Sequence, residues 1–112
     1  MGKIILEVKI RISDEDIKDL LDTAGRGAKY WCDNELDFES ETDKVIAGET
    51  VKIYDRESEE WFSLNLPKVK KGLTLMSIAR PQTFADLITK EYDQFTGDVF
   101  LQMCLFDDVI YS

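Results

Sequence analysis

Between Asp33 and Asp43 every second residue of the sequence is acidic. In an extended strand, neighbouring side chains on one face lie about 6.7 Å apart, because residues alternate between the two faces. The alternation therefore predicts a strand that presents a row of carboxylates on one face. Aligned like charges are costly to bury, so this face must meet water, cations or a basic partner. The row consists of Asp33, Glu35, Asp37, Glu39, Glu41 and Asp43.

The size of the chain predicts one domain. Its 112 residues are 44% hydrophobic and 33% charged, which suits a single core over residues 1–112. The longest apolar runs are far short of the roughly 20 residues that cross a bilayer, and the first residues lack the apolar stretch of a secretory signal. We therefore expect a cytoplasmic protein in which Cys32 and Cys104 are buried free thiols.

The net charge of −9 is unevenly distributed along the chain. Residues 13–60 carry 16 acidic and 6 basic side chains, whereas residues 61–100 carry 4 acidic and 5 basic ones. An acidic half repels nucleic acid and anionic lipid, and it attracts basic surfaces in a salt-sensitive way. The sequence thus argues against direct nucleic-acid or membrane binding, although solubility alone also explains an acidic surface.

Hydrophobic spacing predicts the elements of the first third of the chain. Apolar residues alternate over 6–12, which predicts a half-buried strand. Ser13 followed by three acidic residues predicts a helix start, and helical spacing continues to about Tyr30. Gly25 and Gly27 fall inside this helix, so we expect either the close approach of a neighbouring element or a break near Gly25.

The remaining elements complete an α+β prediction. Strands over 51–54 and 61–64, joined by a turn at 55–58, form a β-meander with the acidic strand. Helices are expected over 67–78 and from Pro81 onward. Residues 98–106 are apolar nearly all round and predict a buried helix or a buried strand, of which we prefer the helix, before a short strand at 109–111. The fold class is a small antiparallel sheet, a β-meander plus terminal strands, packed against three to four helices.

The residues for familiar enzyme chemistry are missing. The sequence contains no histidine, which removes the commonest general base and the usual nucleophile pairs. Two distant cysteines do not make a zinc site, and the glycines at 25 and 27 do not form a phosphate loop. The acidic run fails the calcium-loop template, because Phe38 and Lys44 stand where glycine and glutamate are needed. We therefore expect no enzyme, no cofactor and no metal site.

The aromatic residues are mostly expected in the core. Helical spacing points Trp31 inward, and strand alternation sends either Trp61 or Phe62 inward and the other outward. An exposed tryptophan beside an acidic surface is typical of a hot spot for a partner rich in Lys and Arg.

Several short motifs resemble a group of small acidic proteins found in bacteriophage and prophage genomes. They are Ser-Asp-Glu-Asp-Ile at 13–17, Tyr-Trp-Cys at 30–32, Tyr-Asp at 54–55, Trp-Phe-Ser-Leu at 61–64, Lys-Gly-Leu at 71–73 and Leu-Phe-Asp-Asp-Val-Ile-Tyr at 105–111. The resemblance covers most of the chain and implies a bacterial host cell as the setting. It implies no catalytic residues, because the group has no settled biochemical activity.

In that setting the leading hypothesis is a stoichiometric inhibitor of a host protein, for instance an anti-CRISPR or other anti-defence factor. The spacing in the acidic row approximates two nucleotides of roughly 3.4 Å rise, so the row could act as a DNA mimic on a basic groove. The predicted partner-binding residues are the six of the row together with Glu57, Glu59 and Glu60.

Two alternatives are left open. One is a module that binds a small ligand such as a nucleotide signal, in an aromatic pocket near residues 25–31. Its cations would come from Arg26, Lys29, Lys68, Lys70, Lys71 and Arg80. The other is a virion or assembly protein, for which a homodimer is compatible with the sequence.

Overall fold

Five helices and one β-hairpin make up the part of the chain that the computed structural model describes. These are residues 2–4, 9–33 and 38–112, with residues 38 and 39 described by their backbone alone. The elements are α1 (Asp14–Gly27), α2 (Phe38–Ile46), β1 (Val51–Asp55), β2 (Glu60–Leu64), α3 (Leu66–Ala79), α4 (Pro81–Ile88) and α5 (Gln94–Phe106). The α+β prediction is confirmed, with five described helices rather than three or four.

The helix starts follow the local signals in the sequence. Ser13 caps α1 by accepting a hydrogen bond from the backbone N–H of Asp16 at 3.1 Å. Asn65 caps α3 in the same way, and Pro81 is the first residue of α4. The predictions of these three helices are confirmed. Residues 98–106 are helical rather than extended, and their helix starts earlier than predicted, at Gln94 behind a capping box that pairs Asp93 with Thr96.

Helix α5 is the centre of the core, with α1 on one side and α3 on the other. Glycines allow both contacts to be close. A Cβ atom on Gly97 would lie 2.7 Å from the backbone N of Ala24, and one on Gly72 would lie 2.9 Å from the Cα of Cys104. Gly27 likewise abuts the backbone of Gln94, so the close approach predicted for the glycine-containing helix is confirmed. Both cysteines are buried free thiols, as predicted.

The sheet has two strands and one additional bridge. Strands β1 and β2 pair antiparallel from Val51 with Leu64 to Asp55 with Glu60, which confirms the predicted hairpin. On the other edge of β1, Cys32 forms a single antiparallel bridge with Asp55. The predicted meander needs a third strand from residues 33–43, and its part over residues 38–43 is wrong because these residues are helical.

The predicted acidic strand is wrong over residues 38–43, which belong to α2. Residues 34–37 lie outside the described part of the chain. The helix forms because Thr42 and Val45, three residues apart, are buried beside α1. At 3.6 residues per turn, residues two apart point about 200° away from each other. Glu41 and Asp43 therefore do not share one face, and the expected row of carboxylates does not form there.

Neither predicted outer strand is present in the described residues. Residues 5–8 of the first one are outside the described part, and residues 9–12 have no regular secondary structure. Residues 109–111 are also not a strand. Their backbone pairs with the side chain of Gln102 instead of a neighbouring strand, so no ladder can propagate.

Candidate protein-interaction surface

The outer face of the hairpin carries an aromatic pair, half-buried Tyr54 and exposed Trp61. The strand register places Tyr54 opposite Trp61, and their ring centroids are 5.0 Å apart with an interplanar angle of 50°. Trp61 is 61% exposed, whereas Phe62 packs edge-on against Phe106 in the core. The prediction that one of these two neighbours points inward and the other outward is confirmed. A large aromatic surface is thus available to a partner.

Acidic residues lie on two sides of this aromatic pair. Asp33 donates its backbone N–H to the carbonyl oxygen of Tyr54 at 3.1 Å. Asp33 thus lies opposite Tyr54 on one edge of β1, as Trp61 lies opposite Tyr54 on the other edge. Because directly opposed residues of a sheet point to the same face, this register places Asp33 on the aromatic side. The turn contributes Glu57 and Glu59, and Glu60 begins β2; all three are exposed, and the pairing of Glu60 with Asp55 directs it to the face opposite to Trp61. We call Asp33, Tyr54, Trp61 and these three glutamates the hairpin surface.

The turn that carries the glutamates is held from below by Asp55. Its carboxylate is fully buried and accepts hydrogen bonds from the backbone N–H groups of Glu57 and Ser58, from the Ser58 hydroxyl and from the Tyr111 hydroxyl. Burial alone would raise the pKa of Asp55, but these hydrogen bonds outweigh it and lower the pKa below its ordinary value. Glu59 has a φ of 57°, in the left-handed region. The hydrogen bonds to Asp55 therefore fix the backbone conformation of the turn.

The other predicted site residues are elsewhere. Asp43 pairs with Lys18 at 3.0 Å and Glu41 pairs with Lys44 at 3.2 Å, so part of the negative charge of α2 is compensated within the chain. Glu35, Asp37 and the side chain of Glu39 lie outside the described residues. The structure thus places Asp33, Glu57, Glu59 and Glu60 in or beside the hairpin.

A buried polar network lies beneath the hairpin surface, and the sequence analysis missed it. The Asp98 carboxylate accepts hydrogen bonds from the Trp31 indole N–H at 2.7 Å, from the Gln102 amide at 2.9 Å and from the Tyr30 hydroxyl. Burial and, to a smaller extent, the hydrogen bond to Asp98 raise the pKa of Tyr30 to about 12. One sequence signal was available, because Asp98 and Gln102 are polar residues one helical turn apart in an otherwise apolar segment.

The ligand pocket predicted near residues 25–31 is not supported by the packing of its aromatic residue. Trp31 is fully buried, with its ring 5.2 Å from that of Phe106 and 5.5 Å from that of Tyr111, so it cannot stack on a ligand. A cavity of about 810 Å³ lies elsewhere, between α1, α3, α4 and residues 10–12. Among the described residues that line it, Lys70 is charged.

Comparison with known proteins adds no assignment. No protein-family model, curated protein or solved structure matches this chain. In the described ranges, three or more Asp, Glu, Cys or His side chains never come together in a way that could hold a metal ion. Across the same part of the chain, every helix is too short or too polar to span a bilayer.

Proposed function

We propose that this protein acts by binding another protein, and that the hairpin surface contacts a basic region of that partner. The observation that carries the proposal is the exposure of Trp61. A tryptophan that could have been buried stands instead on the outer face of the hairpin, close in sequence to three exposed glutamates. Tryptophan is the residue type most enriched in binding hot spots.

The chemistry of the surface selects the partner. An Arg or Lys side chain over an indole ring gains about 0.5–1 kcal/mol when exposed and about 2 kcal/mol when desolvated. Carboxylates of the hairpin surface add charge-assisted hydrogen bonds to the same partner. The net charge of −9 steers a basic partner toward the protein over a distance that salt shortens. The expected ligand is therefore a loop or groove rich in Arg and Lys.

The resemblance to small acidic phage proteins suggests which kind of partner this is. We propose a host protein in the bacterial cytoplasm, with a defence nuclease as the leading candidate, since its nucleic-acid groove is basic. The protein would inhibit it stoichiometrically rather than by catalysis. The phosphate-spacing argument does not apply to the helical residues 39–43, so any mimicry of nucleic acid rests on charge and on the hairpin surface.

Affinity capture from a bacterial lysate tests this proposal. The tagged wild-type protein is compared at low and high salt with Trp61→Ala and with a triple variant that changes Glu57, Glu59 and Glu60 to Lys. A matched control changes Glu49, Asp86 and Glu91, three exposed acidic residues elsewhere, to Lys and so shifts the net charge equally. We expect one stoichiometric partner that is lost at high salt and with both hairpin variants, and retained by the control. Equal capture by all four proteins would exclude the hairpin surface.

A small-ligand role is the second candidate, and the cavity of about 810 Å³ is the observation that favours it. Among the described residues its lining is mainly apolar and Lys70 is charged, so the fitting ligand is an apolar molecule with an anionic group. Such a ligand would raise the melting temperature of the wild-type protein, because it binds only the native state. Lys70→Ala should abolish that increase.

A further inference from the structure

The last six residues, 107–112, form a segment without regular secondary structure that is nevertheless held at its end. We call it the tail. The side-chain oxygen of Gln102 accepts hydrogen bonds from the backbone N–H groups of Ile110 at 2.8 Å and Tyr111 at 2.9 Å. Its amide nitrogen donates to the carbonyl oxygen of Tyr111 at 3.2 Å. One side chain thus pairs with both backbone groups of Tyr111, as a neighbouring strand would.

The side chain of Tyr111 fills a pocket built by separate parts of the fold. Its ring lies 5.5 Å from that of Trp31, which follows α1, and 5.8 Å edge-on from that of Phe106, at the end of α5. Its hydroxyl donates to the buried carboxylate of Asp55 in the hairpin. Backbone pairing combined with a side-chain pocket is how proteins recognise extended peptides.

The walls of this pocket need an occupant. Gln102 is fully buried and its side-chain oxygen finds its donors in the tail, whereas the buried carboxylate of Asp55 keeps three hydrogen bonds from its own turn without Tyr111. A buried polar group left without a partner costs about 1–3 kcal/mol. The pocket is therefore stable with a tyrosine-bearing segment in place, whichever chain supplies that segment.

The connection between α5 and the tail is short and can rearrange. Asp107 has a φ of 63°, a left-handed conformation that is uncommon for residues other than glycine, and it is exposed together with Asp108. Ile110 is 54% exposed. Besides the pocket contacts of Tyr111, the tail makes an ion pair from Asp107 to Lys71 and packs half-buried Val109 against the core.

We propose that the pocket formed by Trp31, Asp55, Gln102 and Phe106 is a peptide-binding site that accepts the tail of a second copy in place of the chain's own. The second copy is the occupant because it carries the one segment whose fit to this pocket is visible in the structure. Exchange of an identical element between protomers yields a symmetric dimer with no new contacts required. The pocket lies on the core side of the hairpin, so this proposal is independent of the hairpin surface.

A labelled synthetic peptide with the sequence of residues 107–112 tests the site on the full-length protein. In the wild type, the tethered tail competes at an effective concentration on the order of 1 mM. Tyr111→Ala weakens that competitor and should bind the peptide at least about tenfold more tightly than the wild type, as read by fluorescence polarisation. The control peptide carries alanine in place of its tyrosine and should bind to neither protein.

The outcomes separate the proposal from a purely structural role of the tail. Equal binding by the two proteins, or binding of the alanine peptide, would overturn the site. If Tyr111→Ala is unfolded alone, recovery of its circular dichroism with the tyrosine peptide supports the site, and no recovery overturns it. Native mass spectrometry of the wild type near 1 mM should show a dimer that excess tyrosine peptide dissociates. A monomer under those conditions would overturn the second copy as the occupant.

Discussion

Replacing Asp98 with alanine should destabilise the protein strongly, because its carboxylate is the shared acceptor of a buried network. The change leaves the fully buried Trp31 indole N–H without an acceptor, whereas the Gln102 amide keeps the Tyr30 hydroxyl and the Tyr111 carbonyl as acceptors. An unsatisfied buried donor costs about 1–3 kcal/mol, so we expect a loss of that size. The Tyr30 hydroxyl adds little, because that residue is 45% exposed and can turn to water.

Urea unfolding followed by circular dichroism measures this loss. The urea midpoint should fall clearly, because a domain of this size has only about 5–15 kcal/mol of stability. The m-value should stay unchanged. Asp98→Asn keeps the shape and one acceptor oxygen, so we expect it to lose about half as much. The control Asp86→Ala removes an exposed carboxylate from α4 and should stay within about 0.5 kcal/mol of the wild type. A loss below about 1 kcal/mol for Asp98→Ala would refute the network as a source of stability.

Three further predictions follow from the packing and the pKa shifts. Gly97→Ala should lower the free energy of unfolding by about 1–3 kcal/mol, because the new methyl group meets the backbone of α1. Denaturant titration measures this loss, and an unchanged midpoint would mean that the backbone of α1 moves aside without cost. Hydrogen bonding to Asp55 and burial raise the pKa of Tyr111 to about 12, and burial raises that of Cys32 to about 12, so the native state holds these protons more tightly than the unfolded state. The melting temperature should therefore fall as the pH rises from about 9 to 12. In Tyr111→Phe, the part of this decrease that comes from ionisation of Tyr111, between pH 10 and 12, should be absent. The pKa of Asp55 is lowered, so its stabilisation is present above about pH 4 and is lost on acidification; the acid-induced fall in melting temperature should be smaller in Asp55→Asn.

The helix signals in the sequence predicted the fold well where they act locally. Ser13, Asn65 and Pro81 each mark a helix start through their own backbone chemistry, which needs no distant partner. The hairpin was predictable for the same reason, since its strands are neighbours in sequence. These elements follow from residues within one or two turns of each other.

The acidic alternation misled because charge periodicity does not fix secondary structure. Acidic residues at every second position can surround an exposed helix as readily as they line one face of a strand. The deciding residues were Thr42 and Val45, whose burial depends on packing beside α1. That contact joins parts of the chain about twenty residues apart, as in the hydrogen bond from Thr42 to Asp22.

The candidate site was predictable only in part. Strand alternation predicted that one of Trp61 and Phe62 faces outward but did not select which, and the glutamates at 57, 59 and 60 were expected near the acidic row only if the meander formed. The network around Asp98 was not predicted, since its hydrogen bonds to Tyr30 and Trp31 span 68 and 67 residues. No local pattern identifies partners at such a separation.

The most direct test of the proposed function is calorimetric titration of the captured partner with wild-type protein and with Trp61→Ala, each at low and high salt. The hairpin surface as a hot spot predicts a loss of at least about 2 kcal/mol of binding free energy for Trp61→Ala, which is roughly thirtyfold in affinity. It also predicts weaker binding of the wild type at high salt. Equal affinities for the two proteins at both salt concentrations would contradict the account.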